Sequence, residues 1–244
     1  MNSPVSSSPA ATPSLLDWDA IDTVLLDMDG TLLDLHYDNH IWNRVLPQRV
    51  AARELGISEP TAEQIDSVNR KLLERMASVR GTLEFYNLRH WAELTNLDLV
   101  AIHHEFADLI VYRPGAKAFL EATSNSPLTV ILATNAHRDG LGVKHTHCGL
   151  LGYFDAVVSS HDYGAPKEDQ VFWQHLEAAH PFTPARTLFI DDNPEVLASA
   201  ARYGIGHLLC ITQPDSERPP RTAMPYPMVN DLADLLPISR AMTA

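Results

Sequence analysis

Apolar residues occur in two patterns along this chain: short continuous runs, and longer stretches with helical spacing. Five runs of four to six residues are typical of strands that are buried on both faces, at 23–27, 128–133, 156–159, 187–190 and 207–211. Helical stretches separate most of these runs, and strands that alternate with helices predict a parallel sheet with helices on both of its faces.

The longest stretch without a strand-like run, residues 36–112, directly follows the first predicted strand. Its apolar residues recur at helical spacing, as at Ile65, Val68, Leu72 and Met76. The pattern therefore predicts an α/β fold class, a Rossmann-like parallel sheet flanked by helices, with an inserted all-helical cap.

These patterns divide the chain into a core, a cap and a tail. The core is predicted to comprise 18–35 and 113–240 and the cap 36–112, while 1–17, rich in Ser, Pro and Ala, is expected to be a disordered tail. The segment 214–227, rich in proline and arginine, is expected to form an irregular surface loop.

Polar side chains come directly after three of the predicted strands. They are Asp27 with Asp29, Thr134 with Asn135, and Asp191 with Asp192. Ligands of open parallel sheets bind beyond the carboxyl ends of the strands, so these side chains are expected to meet at one edge. The cap leaves the chain just after the first pair and returns before the second, which places it as a lid.

Two carboxylates at this spacing suit nucleophilic and acid/base catalysis. Asp27 is the candidate nucleophile toward phosphorus. Asp29 is the candidate acid that protonates the leaving alkoxide and the base that then takes a proton from water. Lys167 is expected to bind the phosphoryl group by its charge, and Thr134 and Asn135 by a hydroxyl and a backbone amide.

Crowded carboxylates repel one another and also repel phosphate, so a divalent cation is expected at this edge. Oxygen-only ligands favour Mg²⁺. The expected ligands are Asp27, the backbone carbonyl of Asp29 and Asp192, with Asp191 as a further candidate. Each residue type by itself is common in structural roles, and only the joint order along the chain indicates a site.

Composition narrows the classes of partner and compartment. The formal net charge of −13, without a Lys/Arg-rich run, disfavours nucleic acids and acidic membranes. No apolar stretch approaches the roughly 20 residues that span a bilayer. Two cysteines, Cys148 and Cys210, are too few for a disulfide framework and favour a reducing cytoplasm. The oligomeric state is left open, and a monomer is compatible with the sequence.

Four short motifs resemble, in order, those of the haloacid dehalogenase superfamily. They are Asp27-Met28-Asp29-Gly30-Thr31, Thr134, Lys167 and Phe189-Ile190-Asp191-Asp192-Asn193. The resemblance covers about residues 20–237 and implies that the first Asp is the nucleophile and the second the acid/base. It also implies that Thr134 and Lys167 bind the phosphoryl group, that the late acidic pair holds Mg²⁺, and that a helical cap follows the first motif.

Longer stretches are similar to bacterial GMP/IMP 5′-nucleotidases, namely 24–35, 38–39, 134–137, 166–170 and 186–192. This resemblance implies an enzyme that hydrolyses GMP or IMP to nucleoside and phosphate. A phosphatase of sugar phosphates or other small metabolites is an alternative, since the cap sets specificity. A phosphotransferase, or a catalytically silent protein that binds a phosphate ligand, are further alternatives.

Aromatic residues of the cap allow two interpretations. Tyr37, Trp42, Phe85, Tyr86 and Trp91 could stack on a base or close over the site. The same rings could instead fill the core of the cap itself.

Overall fold

A computed structural model describes residues 16–238. Its strands are β1 Thr23–Leu26, β2 Thr129–Thr134, β3 Ala156–Ser159, β4 Thr187–Asp191, β5 His207–Ile211 and β6 Met228–Val229. They form one parallel sheet in the order β3-β2-β1-β4-β5-β6. The predicted α/β fold with a parallel sheet is confirmed, and the bounds of the first five strands differ from the prediction by at most one residue. The two-residue β6 was not predicted, because so short a strand has no recognisable period.

The α-helices of the described residues are α1 His36–His40, α2 Leu46–Leu55, α3 Ala62–Val79, α4 Leu83–Tyr86, α5 Leu88–Thr95, α6 Leu99–Glu105, α7 Ala116–Ser124, α8 Arg138–Cys148, α9 Ser160–Tyr163, α10 Gln170–Ala179 and α11 Pro194–Tyr203. A π-helical turn, Ile41–Val45, joins α1 to α2. Helices α1 to α6 all lie between β1 and β2. No described helix combines the length and apolar character that crossing a bilayer requires.

Both faces of the sheet are covered by packed side chains. Successive side chains of a strand point to opposite faces, so neighbouring residues of β1 belong to different apolar clusters. Val24 and Leu26 of β1 belong to the larger apolar cluster, together with Phe119 of α7. Leu25, between them, belongs to a second cluster with Leu197 of α11. All of these side chains are fully buried. The two-sided burial explains why β1 consists of an uninterrupted apolar run.

The two connections between the sheet and helices α1 to α6 run side by side. Leu33 pairs with Tyr112 in an isolated antiparallel bridge, and the amide of Arg113 donates to the carbonyl of Leu32 over 2.9 Å. The predicted limits of the cap fall next to this crossing.

Two segments differ from their sequence-based predictions. The expected disordered tail, 1–17, lies outside the described residues except for its last two. Of these, Leu16 packs in the larger cluster and Asp17 caps a 3-10 turn, so both belong to the fold. Segment 214–227 is irregular as expected, but Pro214 and Asp215 are buried. The carbonyl of Pro214 accepts from the amide of Leu35, and the amide of Ser216 donates to Asp34, just before α1.

Candidate active site

The carboxyl ends of β1, β2 and β4 open into a cavity of about 500 Å³. It is lined by every residue predicted for the site: Asp27, Asp29, Thr134, Asn135, Lys167, Asp191 and Asp192. The sheet register explains the convergence. Leu26 is level with Leu132 on one side and with Ile190 on the other, so the polar residues that follow these positions emerge together. The sequence prediction that they meet at one edge is therefore confirmed.

Asp27 extends the pairing of β1 by one residue, since its amide donates to the carbonyl of Ile190 over 3.0 Å. Its side chain is almost fully buried and both of its oxygens accept hydrogen bonds. Oδ1 lies 2.6 Å from Lys167 Nζ, and Oδ2 lies 3.0 Å from Thr31 Oγ1. Burial raises the pKa of Asp27, and the charge of Lys167 opposes that rise. The two bonds fix the orientation of the carboxylate.

A tight turn after Asp27 brings Asp29 into the cavity. The amide of Leu33 donates to the carbonyl of Met28 over 2.9 Å, and Gly30 has a φ of +82°. A Cβ at Gly30 would lie 2.9 Å from Cγ of Asp192, which is closer than real Cβ contacts. The turn therefore needs a glycine for two reasons, the positive φ and the approach of Asp192.

The side chain of Asp29 is paired with a lysine that the sequence reasoning missed. Lys144 Nζ lies 2.5 Å from Oδ1 of Asp29, and 3.0 and 2.9 Å from the two oxygens of Asp38. Burial raises the pKa of Asp29 to about 6, against the opposing charge of Lys144. The one signal in the sequence was the position of Lys144 on α8, three residues after the buried Leu141 and so on the same helical face.

Lys167 is held on both its side chain and its backbone. Nζ donates to Asp27 and, over 2.7 Å, to Oδ2 of Asp191. The Lys167 amide donates to Oδ1 of Asn135 over 2.9 Å, and Nδ2 of Asn135 donates to Glu168 over 3.0 Å. The side chain of Asn135 is thus engaged in holding the loop that carries Lys167.

Asp27, Asp191 and Asp192 each offer a carboxylate oxygen within 4.8 Å of the others. Oδ2 of Asp191 bonds to Lys167, and Oδ1 accepts from the amide of Asn193 over 2.7 Å. Burial and the nearby charge of Asp27 raise the pKa of Asp192 to about 7. The three crowded carboxylates outnumber the two cations beside them, Lys167 and Arg221. This set of hard oxygen donors fits Mg²⁺.

The side chain of Asp29 lies outside this group of three carboxylates, and the metal contact predicted for Asp29 was through its backbone carbonyl. Asn193 also caps α11, with its side chain accepting from the amide of Glu195 over 2.9 Å. The chain direction after β4 is thereby set by the same short segment that carries the two late carboxylates.

A second residue that the sequence reasoning missed, Arg221, lies in the segment predicted to be a surface loop. Its guanidinium donates to the backbone carbonyl of Asp192, and Nη2 lies 3.6 Å from the Asp192 carboxylate. Arg221 also lines the cavity. The amide of Arg221 donates to the carbonyl of Thr212 over 2.9 Å, which holds this part of the loop beside the site.

The five aromatic residues of the cap divide between the two interpretations. Tyr37 and Trp91 are 1% and 0% exposed and belong to the core. Trp42, Phe85 and Tyr86 line the cavity, and the hydroxyl of Tyr86 donates to Glu168 over 2.7 Å. The lining of the cavity is therefore partly aromatic.

Comparisons with known proteins point to one family. A model of the haloacid dehalogenase-like hydrolases matches residues 21–204. The chain is 39% identical, over 90% of its length, to the GMP/IMP nucleotidase YrfG of Escherichia coli K12, of which it covers 96%. A HAD phosphatase from Thermococcus onnurineus shares the fold with a TM-score of 0.69 at 19% identity, over 88% of this chain and 96% of that one. The putative HAD-hydrolase YfnB of Bacillus subtilis, solved bound to magnesium, has a TM-score of 0.59 at 17% identity over the same shares.

Proposed function

The chain belongs to the haloacid dehalogenase-like hydrolases, and from this premise we propose that it is a Mg²⁺-dependent phosphatase of purine nucleoside 5′-monophosphates. The observation that carries the chemistry is the presence of Asp27 and Asp29 in one cavity with Lys167. The choice of GMP or IMP is supported by the similarity to the E. coli GMP/IMP nucleotidase, which extends over nearly the whole chain. The cavity volume of about 500 Å³ lies within the range of small-molecule sites.

In the first step of the proposed reaction, an oxygen of Asp27 attacks the phosphorus atom. The bond between phosphorus and O5′ of the nucleoside breaks, and its electron pair stays on O5′. Asp29 donates a proton to that oxygen, so the products are a neutral nucleoside and an aspartyl-phosphate on Asp27.

In the second step, water attacks the phosphorus atom of the aspartyl-phosphate. The Asp29 carboxylate takes a proton from this water, and the bond between phosphorus and Asp27 breaks. The products are inorganic phosphate, the Asp27 carboxylate and a protonated Asp29, ready for the next turnover.

One charged donor, Lys167, and one neutral donor, Thr134, are available to the phosphoryl oxygens. Lys167 uses two of its three ammonium hydrogens on Asp27 and Asp191, which leaves the third for the substrate. Thr134 Oγ1 accepts from the amide of Ala136 over 3.0 Å, so its own hydrogen is free to be donated. Asn135 contributes by holding the Lys167 loop.

The residues that would hold Mg²⁺ are Asp27, Asp192 and the backbone carbonyl of Asp29. Asp191 acts through Lys167 and the Asn193 amide, which bond to its two oxygens. Asp192 is taken as the direct ligand of this pair because its carboxylate accepts no hydrogen bond from the described residues, and Arg221 Nη2 lies 3.6 Å away. Bound there, the ion would offset the negative charge of the carboxylates and of the phosphoryl group.

The enzyme is proposed to act in the cytoplasm, on a free nucleotide rather than on a nucleic acid. Both cysteines, Cys148 and Cys210, are free thiols, as a reducing compartment favours. The net charge of −13 disfavours association with nucleic acids. Trp42 and Phe85, which line the cavity, offer apolar surface for a base.

The test is an assay of phosphate release from GMP, IMP, AMP, UMP, glucose 6-phosphate and para-nitrophenyl phosphate, with Mg²⁺ and with a chelator in parallel. We expect turnover that requires Mg²⁺ and favours GMP and IMP. Equal rates on glucose 6-phosphate would overturn the nucleotide assignment and keep the chemistry. Absence of turnover on every substrate, or phosphate transfer to an added alcohol in preference to water, would overturn the hydrolase assignment for these substrates.

A further inference from the structure

Lys144 is a buried cation that pairs with two carboxylates lining the cavity of the candidate active site. Its side chain is 3% exposed, and its ammonium group contacts Asp29 at 2.5 Å and both oxygens of Asp38 at 2.9 and 3.0 Å. It also lies 5.4 Å from the ring centroid of Tyr37. Three carboxylate oxygens account for its three ammonium hydrogens, so Lys144 keeps none for the substrate.

Asp38 and Tyr37 belong to α1, the first helix after the crossing between sheet and cap, whereas Lys144 belongs to α8. Lys144 therefore joins a carboxylate of the cap to Asp29. A buried ammonium is stable only with such partners, and the two-oxygen contact with Asp38 restricts its position.

The two oxygens of Asp29 have different surroundings. Oδ1 accepts from Lys144, while Oδ2 has no hydrogen-bond partner among residues 16–238. A proton on Asp29 is therefore expected on Oδ2, since Oδ1 already faces an ammonium hydrogen. Asp29 lines the cavity that also contains Asp27.

We propose that Lys144, held by Asp38, is a positioning residue for the acid step: it fixes Oδ1 of Asp29 so that the proton on Oδ2 is delivered to the leaving oxygen. The inference rests on the proposed function, which makes Asp29 the proton donor. Lys144 itself does not touch the substrate. Its effect on kcat/KM is confined to the proton transfer that accompanies cleavage of the bond between phosphorus and the leaving oxygen.

This role predicts a dependence on the leaving group that a purely structural role would not produce. An alkoxide or a phenolate needs a proton to leave, whereas para-nitrophenolate is stable without one. Phenyl phosphate and para-nitrophenyl phosphate are close in size, so their ratio of kcat/KM isolates the need for the acid. Since kcat/KM extends only to the first irreversible step, slow hydrolysis of the aspartyl-phosphate does not mask the effect.

The experiment compares Lys144→Met, Asp29→Asn and the double variant with the wild-type enzyme on IMP, phenyl phosphate and para-nitrophenyl phosphate. The matched control is Lys117→Met, an exposed lysine on α7. In both single variants we expect the ratio of kcat/KM for phenyl to para-nitrophenyl phosphate to fall about tenfold or more, since general acid catalysis is typically worth about 10²–10⁴-fold. Lys144→Met should add little to Asp29→Asn, because both remove the same proton transfer.

Equal losses on both aryl phosphates in Lys144→Met, or a double variant whose losses multiply, would overturn the positioning role and leave the proposed function intact. An unchanged ratio in Asp29→Asn would overturn the proposed acid, and this inference with it. If Lys144→Met does not fold, Asp38→Asn carries the test, because it removes the carboxylate that holds Lys144 in position and leaves the ammonium group itself in place. A smaller fall of the same ratio is expected there, and a wild-type ratio in folded Asp38→Asn would overturn the proposal.

Discussion

Two buried lysines organise the candidate active site in different ways. The Lys167 group comprises Lys167, Asp27 and Asp191; the Lys144 group comprises Lys144, Asp29 and Asp38. Both lysine side chains are at most 3% exposed. The carboxylates of the Lys167 group directly follow or end strands of the core, whereas the Lys144 group joins the core to the first helix of the cap.

The difference teaches that burial forces a lysine to be paired but does not decide its role. Lys167 contacts one oxygen of each of two carboxylates and retains a hydrogen that can bind a phosphoryl oxygen. Lys144 contacts three oxygens and retains none. The count of partners therefore assigns substrate binding to the first lysine and orientation of the acid to the second, under the proposed function.

The largest effect is expected from Asp27→Asn in the Lys167 group. An amide cannot form the acyl phosphate, so phosphate release from IMP should fall by more than about 10⁴-fold. The fold should persist, because burial already disfavours the charged form of Asp27. Phosphate release and thermal unfolding are the measurements, with the exposed Asp66→Asn as control. Turnover within tenfold of wild type would rule out Asp27 as nucleophile.

Lys167→Met should separate the two lysines most clearly. Loss of a donor to the phosphoryl group is expected to lower kcat/KM by about 10³-fold, as for other preorganised donors at charged transition states. The loss should be the same for phenyl and para-nitrophenyl phosphate, unlike the loss in Lys144→Met. If Lys167→Met also changed the ratio between these substrates, the division of roles between the two lysines would be wrong.

Removal of the metal tests the acidic side of the Lys167 group. Chelation should abolish turnover, and added Mg²⁺ should restore it. Asp192→Asn should raise the Mg²⁺ concentration for half-maximal activity by about tenfold or more, because it removes a proposed direct ligand. Asp191→Asn is the matched control, with a smaller expected rise because Asp191 is proposed to act through Lys167 and the Asn193 amide rather than as a direct ligand. The reverse order of the two variants would reassign the ligand.

The smallest effect concerns His103, which lies beside the Lys144 group. Burial, with a further contribution from Lys144, lowers the pKa of His103 to about 3, and its Nδ1 lies 2.8 Å from the hydroxyl of Tyr37. An unfolded histidine binds a proton near pH 6.5. Between pH 6.5 and 3 the unfolded state therefore holds more protons, and the free energy of unfolding falls as the pH falls.

From pH 7 to pH 5 this single group should reduce the free energy of unfolding by about 2 kcal/mol. Urea unfolding at the two pH values measures it. His103→Gln should lose that part of the pH dependence, whereas the exposed neighbour His104→Gln should retain it. Equal pH dependence in wild type and His103→Gln would show that His103 is accessible to protons in the folded state.

The strands and the two carboxylates of the Lys167 group, Asp27 and Asp191, were predictable for the same reason. A strand buried on both faces is a continuous apolar run, and a polar residue at its end marks the edge where ligands bind. The membership of the haloacid dehalogenase-like hydrolases, expected from the motifs at these strand ends, is confirmed by the family match. Lys144 and Arg221 were missed as site residues, because neither comes directly after a predicted strand or lies in a recognisable motif. Strand β6 was missed because it has only two residues.

Local patterns by themselves determined the five longer strands, the helical insertion after Asp29 and the residues that meet at the sheet edge. The reason is that the spacing of apolar residues, from which these elements are predicted, is carried by residues close together in the sequence. Only the tertiary structure decided which carboxylate pairs with which lysine. Asp38 and Lys144 are 106 positions apart, and their contact depends on how α1 packs against α8 in the folded chain. Charge pairing across such a distance in sequence is set by packing, and it leaves no periodic signal in the residues that take part.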